Sequence, residues 1–208
     1  MFTSLPATFV KSSEQLSQCP ADGLPEYAFI GRSNVGKSSL INMLAGHSKL
    51  SKVSATPGKT RLINHFVVDG SWYMVDLPGY GYARAPQATR RQIAGLIGSY
   101  LRGREELTLL FVLIDIRLAP QKADLEFLRK VGEGGIPCAL VFTKADKLSR
   151  SAAQANVEQF LRALSESWEE APPHFVTSSE KGMGRDAILA YIEQVNSSLQ
   201  KSSGLVAP

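Results

Sequence analysis

The chain has two cysteines, Cys19 and Cys138, and three histidines in 208 residues. That supply is too small for a disulfide framework or a Cys/His zinc site. No apolar run is long enough to cross a bilayer; the longest, LTLLFVLIDI at 107–116, ends in charge. The opening MFTSLPATFVKSSEQ lacks the basic-then-apolar order of a secretory signal. A reduced, cytoplasmic protein with no membrane contact is the expectation. Acids are scarce in one place: residues 32–104 hold eleven Lys/Arg but only Asp69 and Asp76, in a chain whose net charge is +4. Such asymmetry points that segment toward a polyanion. With 44% apolar and 20% charged residues, disorder of the whole chain is excluded, and the length fits one domain.

Residues 1–24 are polar and read as an N-terminal extension, with one β-favouring stretch at 8–13. Strands are expected at 27–31, 62–68, 72–76, 107–115, 138–144 and 174–179, and helices at 39–46, 86–101, 121–132, 150–168 and 185–199. From 107 onward, apolar strands alternate with helices, the order of a parallel sheet covered on both faces. The pair 62–76 adds one antiparallel edge. The fold class is therefore α/β, a mostly parallel six-stranded sheet with one antiparallel edge strand, the domain spanning 25–200 and a loose tail 201–208.

GRSNVGKS, 31–38, matches G-x-x-x-x-G-K-[ST] between a strand and a helix. Gly31 and Gly36 let the backbone curl so that the N–H groups of Arg32, Ser33, Asn34, Val35 and Lys37 can face phosphate. The helix N-terminus at Ser38 and Ser39 adds partial positive charge. Lys37 can reach the β- and γ-phosphates, and Ser38 can offer its hydroxyl to Mg²⁺.

TKAD, Thr143–Lys144–Ala145–Asp146, lies at the carboxyl end of an apolar strand, where open α/β sheets bind ligands. A carboxylate there accepts from the N1–H and 2-amino group of guanine, and adenine would leave it unpaired. The Lys144 stem can cover the base, and Thr177, Ser178 and Ser179 can offer backbone N–H to its 6-oxo group. In DLPG, Asp76 can hold Mg²⁺ through water, Leu77 and Pro78 carry the turn, and the Gly79 N–H can meet the γ-phosphate. In the irregular stretch before it, Gly58, Lys59, Thr60, Arg61 and Leu62 form a second ligand loop, with Thr60 bringing oxygen to Mg²⁺ and γ-phosphate. Two loops that depend on one phosphate make an order–disorder switch.

GRSNVGKSSLIN, SATPGKTRLIN, DLPGYGYA and TKAD together resemble the EngB (YihA/YsxC) family of bacterial GTPases, over about residues 8–200. The resemblance implies a single Ras-like domain, GTP/GDP and Mg²⁺ binding, and a role in assembly of the large (50S) ribosomal subunit and in normal division and septation. Hydrolysis would rest on Lys37, Thr60 and Gly79. The residue after DLPG, where many GTPases carry a water-orienting Gln, is Tyr80, so intrinsic hydrolysis is expected to be slow, on the order of 10⁻³ s⁻¹ or less. Asn34 has two open readings: a K⁺ ligand, as in potassium-activated relatives, or an Asn that fixes its own loop. Tyr80 and Tyr82 also have two, packing against the following helix or stacking on RNA bases. His65 and His174 are read as structural. The expected partner is ribosomal RNA or a large-subunit precursor through the basic segment, bound by a monomer; the alternative is a protein-partner switch in division. A metabolic kinase is disfavoured, since no second substrate domain or lid insert is present.

Overall fold

The computed structural model describes residues 5–47, 50, 62–81 and 86–203. One sheet holds seven strands: β1 (Ala7–Ser13), β2 (Glu26–Gly31), β3 (Ile63–Val68), β4 (Trp72–Asp76), β5 (Leu107–Asp115), β6 (Cys138–Thr143) and β7 (His174–Val176), in the order β1-β3-β4-β2-β5-β6-β7. Pairing is parallel from β4 through β7 and antiparallel on both sides of β3. The antiparallel strand is thus second from the edge rather than at it. The seventh strand comes from the segment expected as an extension: β-branched and aromatic side chains in ATFVKSS pair with β3, with a bulge between Phe9 and Lys11.

Alternation along each strand divides the core into two layers. On β5, Leu109, Phe111 and Leu113 face α1 (Lys37–Ala45) and α5 (Arg185–Ser203), whose Leu40, Ile41, Leu44, Ile188 and Ile192 are buried there. Leu110, Val112 and Ile114 face α2 (Gln87–Gly103), α3 (Lys122–Glu133) and α4 (Arg150–Leu164). α4 stops at Leu164, short of the expected 168: Ser165 closes it, and Trp168 turns back against Gly132. β7 is three residues long because the backbone turns after Val176, where Ser178 pairs with Met183. α5 runs to Ser203, into the expected tail, and 204–208 lie outside the described residues. No helix among the described residues is long and apolar enough to cross a membrane.

A buried polar cluster sits at the end of the sheet away from the phosphate loop. Glu26 accepts from the Tyr100 hydroxyl at 2.5 Å, from Arg104 at 2.6 and 3.0 Å, and from His65 Nε2 at 3.0 Å. Burial alone would push this carboxyl up, but the three donors outweigh burial and hold it at about 2. His65 is structural, as expected. So is Arg104, which leaves the count of basic residues available to a polyanion one lower than the sequence suggests.

Candidate nucleotide site

The phosphate loop leaves β2 at Gly31, where any Cβ would lie 2.8 Å from Val35 and 2.9 Å from the Leu113 carbonyl. Glycine is required there by close approach. Gly36 follows with φ 107, a left-handed conformation, and α1 begins at Lys37 with no side-chain cap and no acid in its first turn. Its leading N–H groups are thus left for an anion. The Ser33 hydroxyl is buried without a partner among the described residues, a donor that a ligand oxygen would satisfy. These features fit a phosphate.

DLPG runs directly beside this loop. Leu77 N donates to Phe29 O and Tyr80 N to Gly31 O, both at 3.1 Å, so Asp76, Leu77, Pro78 and Gly79 continue β4 along the end of β2. The Lys37 ammonium and the Asp76 carboxylate meet in an ion pair. A carboxylate and the Ser38 hydroxyl, both oxygen donors flanking a phosphate cradle, suit Mg²⁺. Among the described residues no group of three or more His, Cys, Asp or Glu is placed to hold a metal, so the ion would depend on phosphate and water for its remaining ligands. Leu62 is half-buried just before β3, while Gly58, Lys59, Thr60 and Arg61 lie outside the described residues, as does Tyr82.

The segments expected to read a base converge from two strand ends. The Thr143 hydroxyl donates to Val35 O at 2.7 Å, tying β6 to the phosphate loop. Lys144 takes φ 66, and its ammonium donates to Asn34 O at 2.6 Å and Asp115 Oδ2 at 2.8 Å. Asn34 is itself left-handed, φ 63, a conformation Asn tolerates. Ala145 N donates to Thr177 O at 3.0 Å, and the Ser178 hydroxyl to Asp146 Oδ1 at 2.6 Å. That hydrogen bond, with help from Lys147, keeps the Asp146 carboxyl at about 2, ionised and ready to accept. Ser179 is half-buried at the turn.

One feature escaped sequence reasoning, and another took a partner that the sequence did not name. Asp115 joins the site through Lys144 and is clamped by both Arg117 Nε and Nη2 at 2.8 Å; against the opposing effect of burial, these donors hold it at about 2. Its place at the carboxyl end of an apolar strand was the available signal. Tyr80 packs inward: its ring stacks on Phe127 at 4.4 Å and its hydroxyl donates to buried Asp124 at 3.0 Å. The packing expected for Tyr80 against the following helix is instead made with α3, through Phe127 and Asp124.

Residues 26–144 match the family described as 50S ribosome-binding GTPase. A probable GTP-binding protein EngB of Bacteroides fragilis is 58% identical over 193 residues, 93% of this chain and 96% of that protein. Another, of Phocaeicola vulgatus, is 57% identical over 196 residues, 94% of this chain and 98% of its own length. The chain belongs to the EngB family of GTP-binding proteins. A solved probable GTP-binding protein engB superposes with TM-score 0.69 at 23% identity, covering 83% of this chain and 99% of that one. Era bound to MgGDPNP and a 16S ribosomal RNA segment gives 0.66 at 21% identity, covering 83% and 56%. At these identities the two structures speak for the Ras-like α/β fold, which EngB-family membership and the seven-stranded sheet share.

Proposed function

We propose that the chain binds GTP and GDP with guanine selectivity, hydrolyses GTP slowly, and serves as a nucleotide-dependent switch in assembly of the large ribosomal subunit, with a consequent need in division and septation. The observation that supports this best is the contact of Lys144 with the Asn34 carbonyl. It ties the strand end that carries Asp146 to the phosphate loop, as a single ligand spanning the two would require.

In this reading the loop 31–39 surrounds the phosphates, Lys37 neutralises the β/γ oxygens, and Asp146 with Ser178 and Ser179 reads the base. Ser38 and Thr60 directly, and Asp76 through water, would hold Mg²⁺, which supplies charge neutralisation on the β- and γ-phosphates. Gly79 would bring its N–H to the γ-phosphate, coupling DLPG and the loop 58–62 to its presence. Tyr80 has no amide to orient water, which is the reason for slow hydrolysis without a partner. Asn34 is the residue through which K⁺ would act, and faster hydrolysis in potassium than in sodium buffer is expected on that account. The protein works as a cytoplasmic monomer on ribosomal RNA.

The decisive experiment is co-sedimentation with purified large subunits across a salt series. Retention with a non-hydrolysable GTP analogue, release with GDP and a steep loss with salt are expected. No retention in either state would remove the ribosome-directed reading and leave guanine-nucleotide binding standing.

A further inference from the structure

Residues of α2, α3 and the DLPGY segment line an open cavity of about 790 Å³. Its size is that of a ligand site, roughly 300–1,000 Å³ in general. The walls are apolar: Ile93, Ala94, Ile97 and Leu101 from α2, Phe127 and Val131 from α3. Gly79, Tyr80 and Gly81 form one end, so the cavity's shape is tied to the segment that would answer to γ-phosphate.

The rim has the opposite character. Arg32, Arg90, Arg102 and Lys130 surround the opening against one acid, Glu126, whose partner is Lys122. None of the four cations forms an ion pair with a described residue. The Arg102 guanidinium lies back over Gly98, and the Arg32 side chain over Gly81, so both rest at the mouth. Gly98, over which the Arg102 charge rests, lies about 12 Å along the helix from Arg90, at 1.5 Å per residue.

Cations spread that far along an apolar slot suit a ligand that repeats its negative charge at intervals and carries a flat apolar body between the charges. A single-stranded nucleic acid has that chemistry: phosphates along the backbone, bases free to leave the stack. An acidic peptide would have to place carboxylates at both ends of the slot by coincidence. We infer that the α2–α3 cavity seats an unstacked base of single-stranded ribosomal RNA, with neighbouring phosphates on Arg90, Arg102 and Lys130. This rests on the ribosome-directed reading above and names how that partner is held. Tyr80 closes one end of the cavity and its N–H bonds the Gly31 carbonyl of the phosphate loop, so any effect of the bound strand on nucleotide affinity is matched by an equal effect of the nucleotide on the strand.

The test uses the full chain loaded with a non-hydrolysable GTP analogue, and two probes: intact large subunits and deproteinised 23S ribosomal RNA. Ala94→Trp fills the cavity from α2 without changing charge, and Ala123→Trp does so from α3 should the first variant fold poorly. Each is expected to weaken retention on both probes by about tenfold, the worth of one stacked base. Affinity for a fluorescent GDP should be unchanged. Arg102→Gln should weaken binding and lower the salt slope by about 1. If filled variants bind both probes like the parent while Arg102→Gln still weakens binding, the arginines act as surface charge only and the proposal is overturned. If the parent binds subunits but not bare RNA, and filling still weakens it, the occupant is a ribosomal protein and the RNA assignment fails. If the parent binds neither, the ribosome-directed reading falls first and the seat falls with it.

Discussion

The hydroxyl of Tyr80 donates to the carboxylate of Asp124 across 44 residues, at 3.0 Å, in a partly buried hydrogen bond. The ring's stacking on Phe127 completes the arrangement. The residue that replaces a water-orienting Gln is thereby turned away from the phosphate loop, and α3 rather than the nucleotide holds it.

Tyr80→Phe tests whether the phenol has any part in the reaction. It keeps the stack on Phe127 and removes the hydrogen bond, leaving a buried carboxylate short of one donor, a loss of about 1–3 kcal/mol of stability. Single-turnover GTP hydrolysis should stay within about twofold of the parent, since a group held at Asp124 stabilises nothing at the γ-phosphate. A tenfold fall would place the hydroxyl in the transition state.

Asp124 itself gives a pH signature. Burial pushes its carboxyl above the usual range, and the hydrogen bond from Tyr80 only partly offsets this. The folded state therefore holds the proton more tightly than the unfolded chain. The associated stability is fully present below about pH 3.9, the unfolded value, and is lost as pH rises through the folded one. Asp124→Asn retains an acceptor without the charge. It should melt higher than the parent at pH 7, and the gain should shrink as pH is lowered toward 4. Chemical denaturation at both pH values measures it; an equal difference at the two would contradict the account.

Glu26 has the opposite sign. Its carboxyl is held at about 2, and it is fully buried. The stability it supplies is present above the unfolded value near 4.5 and is lost as pH falls toward 2, up to about 3 kcal/mol. Glu26→Gln leaves the buried Arg104 guanidinium with Glu106 as its remaining counter-charge, so the cost should fall below the roughly 3–5 kcal/mol of a fully unpaired buried charge. Acid titration of the variant should show a shallower decline in stability between pH 4.5 and 2 than the parent does.

How far the sequence could be read follows from what each feature depends on. Gly31, Gly36 and Lys37 carry their meaning in local order, because a curled loop between strand and helix needs those residues at that spacing. The parallel strands declared themselves as apolar runs. The sheet's seventh strand showed only as a β-favouring stretch at 8–13: ATFVKSS alternates weakly and gains its place by pairing with β3, about fifty to sixty residues away. The Tyr80–Asp124 and Glu26–His65–Arg104 contacts are likewise products of tertiary packing, and no local pattern encodes them. Arg104 shows the cost of reading charge alone, since a residue counted toward a polyanion surface turns out to neutralise Glu26.

Asp115 offers the sharpest test of the nucleotide site. Its carboxylate receives Lys144, which in turn holds the Asn34 carbonyl, so it braces the base-reading strand against the phosphate loop without facing the base edge. Asp115→Asn keeps size and shape but weakens a charge-assisted bond worth about 1.5–3 kcal/mol. Part of that loss appears as lower ligand affinity, and dissociation of a fluorescent GDP should quicken about tenfold. Inosine diphosphate, which lacks the 2-amino group that Asp146 is proposed to read, should lose affinity by the same factor, leaving the ratio between the two nucleotides unchanged. Lys144→Met should abolish the effect of adding Asp115→Asn on nucleotide dissociation, because the only bonds the second change can then weaken run to Arg117, away from the Lys144–Asn34 link. A changed GDP-to-inosine ratio would mean that Asp115 acts on Asp146 instead, and additive effects would mean that it acts on neither through Lys144.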